Sequence, residues 1–172
     1  MNECSILWCG KYRQNWENEL HCHNYFQMVG ILSGSGRFYV EDHSYPIEEE
    51  QIYLLAPQQM HAIHRGEKSD APLHILDVKF TIADPILFED LERAGSMFRL
   101  QQFDWFLRFF DRILTESKRK APYYYSIING YLLEILVRIV RERSGIGAEM
   151  PEAEPPHIEM FKGVDVAALM QY

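Results

Sequence analysis

The chain is poor in the features that would fix its class at once. It has three cysteines, Cys4, Cys9 and Cys22, an odd number with no Cys-x-x-Cys pair. That excludes a disulfide framework and a zinc ribbon, and it suits a reducing compartment. Positive charge is scarce: 17 Lys+Arg stand against 25 Asp+Glu, a formal net charge of -8. Without a basic footprint the chain is a poor match for nucleic-acid phosphates or an anionic membrane surface. Long hydrophobic runs are missing too. The most apolar segment, residues 131–140, is broken by Glu134 and Arg138 and is too short to span a bilayer. The opening MNECSILWCGKY lacks a basic region followed by an apolar stretch, so no signal peptide and a cytoplasmic location are expected. No GxSxG, P-loop or GxGxxG occurs. Cys22 lies between two histidines, but strand alternation directs it away from them, which argues against a nucleophile.

What is present divides the chain unevenly. Hydrophobic residues make up 47% and aromatics 13%, enough to bury a core. Residues 1–82 read as β. Short runs rich in Val, Ile, Tyr and Phe cover 5–12, 26–34, 36–42, 44–49, 51–57, 61–65 and 73–82, separated by Gly, Pro and Glu breakers. Strands so short and regular predict a small sandwich or barrel. Residues 83–145 read as α, with helices over 87–95, 104–120 and 123–145. Residues 146–157, acidic and Pro-rich, read as a linker. Residues 158–172 have the composition of the first turns of a further domain, cut off at the end of the chain. The expected class is α+β.

The sharpest local feature is HCHNYFQMVGILSG, residues 21–34. On an extended chain His21, His23 and Gln27 share one parity. Two imidazoles and an amide on one face, joined by His61, could converge on a divalent first-row metal. The other reading is that the imidazoles hydrogen-bond at a barrel mouth or line a pocket. Gln27 brings no charge, which weakens the metal reading. Tyr25 has the same parity, and its ring suits either a sugar face or core packing. Arg65 shares parity with His61, so it would point inward to hold an anion or else pair at the rim. In residues 73–82 His74, Leu76, Val78 and Phe80 share one face, and Asp77 and Lys79 the other. The apolar set is expected to face the barrel interior, which puts His74 on the inward line. Trp8 and Trp16 could cap the pocket, though no register fixes them.

The spacing H-x-H-x3-(E)-x6-G, followed by a strand and P-x-G-x-x-H, resembles the two cupin motifs. The first is matched from His21 to Gly34, with Gln27 where the family has Glu and Asn15 where it has a leading Gly. In the second, Glu50, Ala56 and Gln58 stand at the Gly, Pro and Gly positions, Arg65 stands at the closing Asn, and His61 matches. The order of a degenerate cupin, helices, a polar linker and a new helix resembles the regulatory half of AraC-family transcription regulators, over roughly residues 18–172. The resemblance implies a cupin-like jelly-roll barrel in 1–82 and a helical dimerisation segment in 83–145. It also implies that residues 158–172 begin a helix-turn-helix domain, the only part that would touch DNA. An effector pocket formed by His21, His23, Tyr25, Gln27, His61, Arg65 and His74 would take a small polar metabolite, a sugar or sugar acid, without a cofactor and without catalysis. A rival from another class is a metal-dependent cupin enzyme, an isomerase or dioxygenase, with His21, His23, Gln27 and His61 as ligands.

The helix over 123–145 is apolar on more than one stripe, so it is buried on more than one side. Tyr131, Leu132, Ile135, Leu136 and Ile139 are the candidate face for a homodimer. The alternative is that helix 104–120 covers that stripe within one chain.

Overall fold

The computed structural model describes residues 3–14, 17–65 and 72–145, with the side chains of Gln14 and Arg65 left out. Two expectations, the linker over 146–157 and the helix start in 158–172, lie outside the described residues, as does Trp16. The elements run β1 (Cys4–Gln14), β2 (Asn18–His21), β3 (Phe26–Ser33), β4 (Gly36–Val40), β5 (His43–Pro46), β6 (Gln51–Leu55), β7 (His61–Arg65), β8 (Leu73–Ile82), α1 (Pro85–Arg93), β9 (Met97–Arg99), α2 (Phe103–Arg119) and α3 (Tyr124–Arg143). A five-stranded sheet, ordered β1-β8-β3-β6-β9, faces a four-stranded sheet, ordered β2-β7-β4-β5. Every pairing is antiparallel. This is a cupin-like jelly roll followed by a helical segment, the α+β class expected. Two strands were not foreseen. The short β2 carries His21, and β9 comes from the helical half to pair with β6.

Two cores meet at the larger sheet. Val29, Ile31, Phe38, Val40, Tyr53, Leu55, Ile63, Leu73 and Ile75 fill the space between the sheets. Phe26, Met28, Ile52, Leu54, Leu76, Val78 and Phe80 point the other way and pack against Phe106, Phe110, Ile113, Leu132, Ile135 and Leu136 of the helices. The helices thus cover the outer face of the sheet, and β3, β6 and β8 are buried on both sides. Gly30 is one reason α2 can sit so close. A Cβ there would come within 2.9 Å of the Phe106 ring.

That second core corrects the reading of β8. Leu76, Val78 and Phe80 face the helices, and His74 shares their parity. Asp77 and Lys79 are the residues on the interior face. An apolar stripe marks the barrel interior only where the other face meets water, and here helices replace the water.

The dimer expectation is corrected in the same way. Leu132, Ile135, Leu136 and Ile139 are fully buried within the single chain, and Tyr131 is half-buried. Helix α2 and the sheet cover that stripe, so it is not free for a second copy. A side-chain strut fixes α3 on β1: the Ile6 N–H donates to Asn129 Oδ1 at 2.9 Å, beside the register shift between Ile6 and Trp8. The Tyr125 hydroxyl donates to the Ile6 carbonyl at 3.0 Å.

Glu50 and Gln58, which stand at two glycine positions of the cupin motif, have φ of +64° and +67°. The backbone keeps the left-handed turn although the glycine is gone. Such a conformation costs a non-glycine residue about 1–2 kcal/mol. Glu50→Gly should therefore leave stability unchanged or raised, while Glu50→Val should lower it by about 1–2 kcal/mol. Urea denaturation of both variants checks this, and a clear loss in Glu50→Gly would refute it.

Candidate ligand-binding site

The site begins with two turns that are tied together. After β2 ends at His21, residues Cys22–Tyr25 turn the chain into β3. Gln58, in its left-handed conformation, aims its N–H at the His23 carbonyl at 2.7 Å. That bond docks the turn before β7 onto the turn before β3. It brings together three histidines from separate places in the chain. His21 and His61 are paired across β2 and β7 with ring centroids 4.3 Å apart, and His23 lies 4.9 Å from His61. His23 is not on a strand, yet the grouping expected from strand parity is met.

Each imidazole is oriented by a main-chain carbonyl near it in sequence. Nδ1 of His21 faces the Glu19 carbonyl at 2.8 Å, Nδ1 of His23 the Tyr25 carbonyl at 2.8 Å, and Nδ1 of His61 the Gln59 carbonyl at 2.9 Å. A carbonyl only accepts, so each Nδ1 carries the proton. Nε2 of His61 is then a bare acceptor. It is buried and has no hydrogen-bond partner. Burial pushes the His61 imidazole down to about 4, and the nearby His21, His23 and Lys79 push the same way. It is neutral at pH 7.

Gln27, on the interior face of β3, links the histidines to the barrel wall. Its Oε1 lies 2.9 Å from His23 Nε2, and its Nε2 donates to Asp77 Oδ1 at 3.0 Å. The Tyr12 hydroxyl donates to the other Asp77 oxygen at 3.0 Å. Burial raises the Asp77 carboxyl above its ordinary value, and the bonds from Gln27 and Tyr12 oppose that rise. The same burial raises the Tyr12 phenol.

The mouth of the barrel is aromatic. The Tyr25 ring stacks on His23 at 3.9 Å with the planes 8° apart. Trp8 stands 5.9 Å from Tyr12, edge to face. Between these rings lies Lys79, its Nζ 5.4 Å from the Trp8 centroid and 5.9 Å from that of Tyr25.

The structure therefore brings His21, His23, Tyr25, Gln27 and His61 together. It places His74 on the opposite face of β8, and the Arg65 side chain lies outside the described residues. Three site residues escaped the sequence reading: Tyr12, Asp77 and Lys79. The signal was present, because Asp77 and Lys79 are the only charged residues of the ten-residue β8. Two charges at one parity in an otherwise apolar strand belong where polar groups are needed. Cys22 is exposed, with its thiol 3.9 Å from Gln58 Oε1.

The fold family also implies a metal, and the donor set does not fit one. Among the described residues no three His, Cys, Asp or Glu side chains are placed to share an ion. Gln27 supplies no charge, its oxygen is engaged with the His23 nitrogen that a metal would take, and Asp77 is committed to Gln27 and Tyr12. A glutamate at position 27 would set two carboxylates about 3 Å apart, where both could not ionise freely. The amide instead donates to Asp77.

The neutral, buried His61 makes stability depend on pH. The unfolded histidine takes up a proton near 6.5, while the folded one resists until about 4. Between those values the unfolded state binds more protons, so stability falls as pH falls. In chelator-treated protein the melting midpoint should drop across that window, and His61→Asn should flatten the drop. An unchanged slope in the variant would assign the effect elsewhere.

A family model described as the AraC-like ligand binding domain matches residues 9–136. The uncharacterized HTH-type transcriptional regulator YfiF of Bacillus subtilis (strain 168) is 27% identical over 79 residues, 46% of this chain and 24% of that protein. The chain thus matches about a quarter of that regulator's length. Among solved structures, a predicted oxalate decarboxylase of Thermotoga maritima is 23% identical with a TM-score of 0.37, covering 43% of this chain and 64% of that one. A cupin protein of Bacteroides fragilis is 18% identical with a TM-score of 0.37, covering 49% of this chain and 70% of that one. No helix among the described residues is long and apolar enough to cross a membrane. With most of its length matched by the family model, the chain belongs to the AraC-like ligand binding domain family.

Proposed function

We propose that this chain is the ligand-sensing and dimerisation part of an AraC-type transcription regulator, acting by binding and not by turnover. The observation that carries the reading is the polar cluster at the barrel mouth. It combines aromatic rings, a free acceptor on His61 and an oriented Gln27–Asp77 pair, and these are groups that recognise a small polar metabolite such as a sugar or sugar acid. The likeness to a helix-turn-helix regulator supports DNA binding by a separate domain, as does the acidic balance of this chain. Ligand would favour one of two arrangements of barrel and helices, and so change how the DNA-binding domains are presented. The donor set argues against the metal-dependent isomerase or dioxygenase. Stoichiometric iron, manganese, nickel or zinc in protein purified without chelator would overturn that preference.

A second copy fits the outer side of α3, not the stripe first expected. Gly130, Leu133, Glu134, Val137, Arg138 and Arg141 line an open groove of about 560 Å³. A Cβ on Gly130 would meet nothing within 4 Å, so a partner helix can approach closely there. Leu133 and Val137 supply an apolar centre, flanked by the Glu134–Arg138 ion pair of the same helix and by Arg141. Light scattering at micromolar concentration should report a dimer. Leu133→Glu with Val137→Glu should convert it to a monomer with unchanged circular dichroism. A monomeric wild-type chain would refute dimerisation. Thermal-shift screening with sugars and organic acids tests the sensor reading, since a ligand of the native state raises the midpoint. No stabilising compound in such a screen would count against it.

A further inference from the structure

Lys79 is a half-buried cation with no direct ion pair. Among the described residues no carboxylate lies within ion-pair distance of its ammonium. The acid next to it on the interior face of β8 is Asp77, and both Asp77 oxygens are taken, by Gln27 and by Tyr12. What Lys79 has instead are the faces of Trp8 and Tyr25. Such contacts hold an ammonium in place but offset only part of the cost of withdrawing it from water. Trp8 is 44% exposed, so the charge between the rings opens toward solvent. An anion arriving there would meet an oriented cation that makes no direct ion pair, although the Asp77 charge acts on it from a distance.

A second unfilled group belongs to the same site. His61 is 2% exposed, and its Nε2 has no partner. Its other nitrogen is fixed by the Gln59 carbonyl, so Nε2 can only accept. An imidazole acceptor left empty in a buried place costs stability until a donor reaches it. The His21 ring, 4.3 Å away, is exposed. Rings connect the two groups, since His23 stands 4.9 Å from His61. Tyr25 joins them physically, lying beneath Lys79 and stacked on His23.

Building on the sensor reading, we infer that the ligand is a hydroxy acid, its carboxylate held by Lys79 between Trp8 and Tyr25 and its hydroxyl donating to His61 Nε2. A neutral sugar would satisfy His61 and leave Lys79 without a direct ion pair. A simple carboxylic acid would do the reverse. The aromatic rings accept the carbon skeleton, and Gln27 holds the neighbouring His23 in place.

Calorimetric titration of the whole 172-residue chain, free of chelator, separates these cases. The probes are glycolate, glycerate, gluconate and mandelate, each beside its matched alcohol and its matched deoxy acid. At least one hydroxy acid should bind ten times more tightly than both of its partners. Lys79→Met should weaken that acid at least tenfold and leave the alcohol unchanged, while Lys79→Arg should retain binding. His61→Phe should erase the preference for the hydroxy acid over the deoxy acid. If neutral alcohols bind as well as acids, or if Lys79→Met leaves the affinity intact, the hydroxy-acid assignment fails while the sensor reading stands. If no probe of any class binds, both fail. Circular dichroism of the variants, with Lys79→Arg as the folded reference, distinguishes lost contact from lost structure.

Discussion

Asp77 sits in the middle of a strand that is buried on both faces, and a carboxylate in that position cannot be left without donors. Its needs organise the site. Tyr12 on β1 and Gln27 on β3 flank β8 on either side in the sheet, so each reaches one carboxylate oxygen. Once the Gln27 amide nitrogen is committed to Asp77, its oxygen must face the other way, toward His23. His23 then has an acceptor opposite each ring nitrogen, Gln27 on one side and the Tyr25 carbonyl on the other. Tyr25 stacks on the ring so fixed. One buried charge thus sets the orientation of an amide, an imidazole and an aromatic side chain across three strands and a turn.

The burial of that strand is itself the work of the helices. A jelly roll standing alone would turn the outer face of its larger sheet to water, and its strands would alternate apolar and polar residues. Here Leu76, Val78 and Phe80 meet α2 and α3, while the interior face carries Leu73 and Ile75 beside Asp77 and Lys79, so the more apolar face is not the interior one. For that reason the strands were legible in the sequence while the facing of β8 was not. The same contact misdirects the reading of α3. Its broad apolar surface does indicate burial on more than one side, but most of that burial occurs within the chain. The face left over is the weaker one, built from Gly130, Leu133 and Val137.

The histidine cluster was legible for a different reason. His21, His23 and His61 were grouped by spacing, and the structure groups them, although His23 lies in a turn. The grouping depends on turn geometry more than on parity. Glu50 and Gln58 show how that geometry outlives the residues that usually encode it. Gln58 bears the conformation of a glycine and uses it to send its N–H to His23. β2 and β9 were missed because each is short, and nothing in four or three residues distinguishes a strand from a loop until a partner pairs with it.

The exchange of a carboxylate for an amide at position 27 bears on what kind of site this is. A glutamate there would add a negative charge beside Asp77, and a cation would be needed to hold both. The amide removes that need. It donates to Asp77 and turns its oxygen to His23, so within the cluster the open nitrogens are Nε2 of the buried His61 and Nε2 of the exposed His21. A metal centre must present several lone pairs to one point, whereas here the Gln27 oxygen is turned to His23 and the Asp77 oxygens are held by Gln27 and Tyr12. The buried acceptor on His61 and the ammonium of Lys79, which makes no direct ion pair, suit an organic molecule better than a metal ion. Binding can then change which neighbours are engaged without any bond being made or broken, and that is the property a sensor requires.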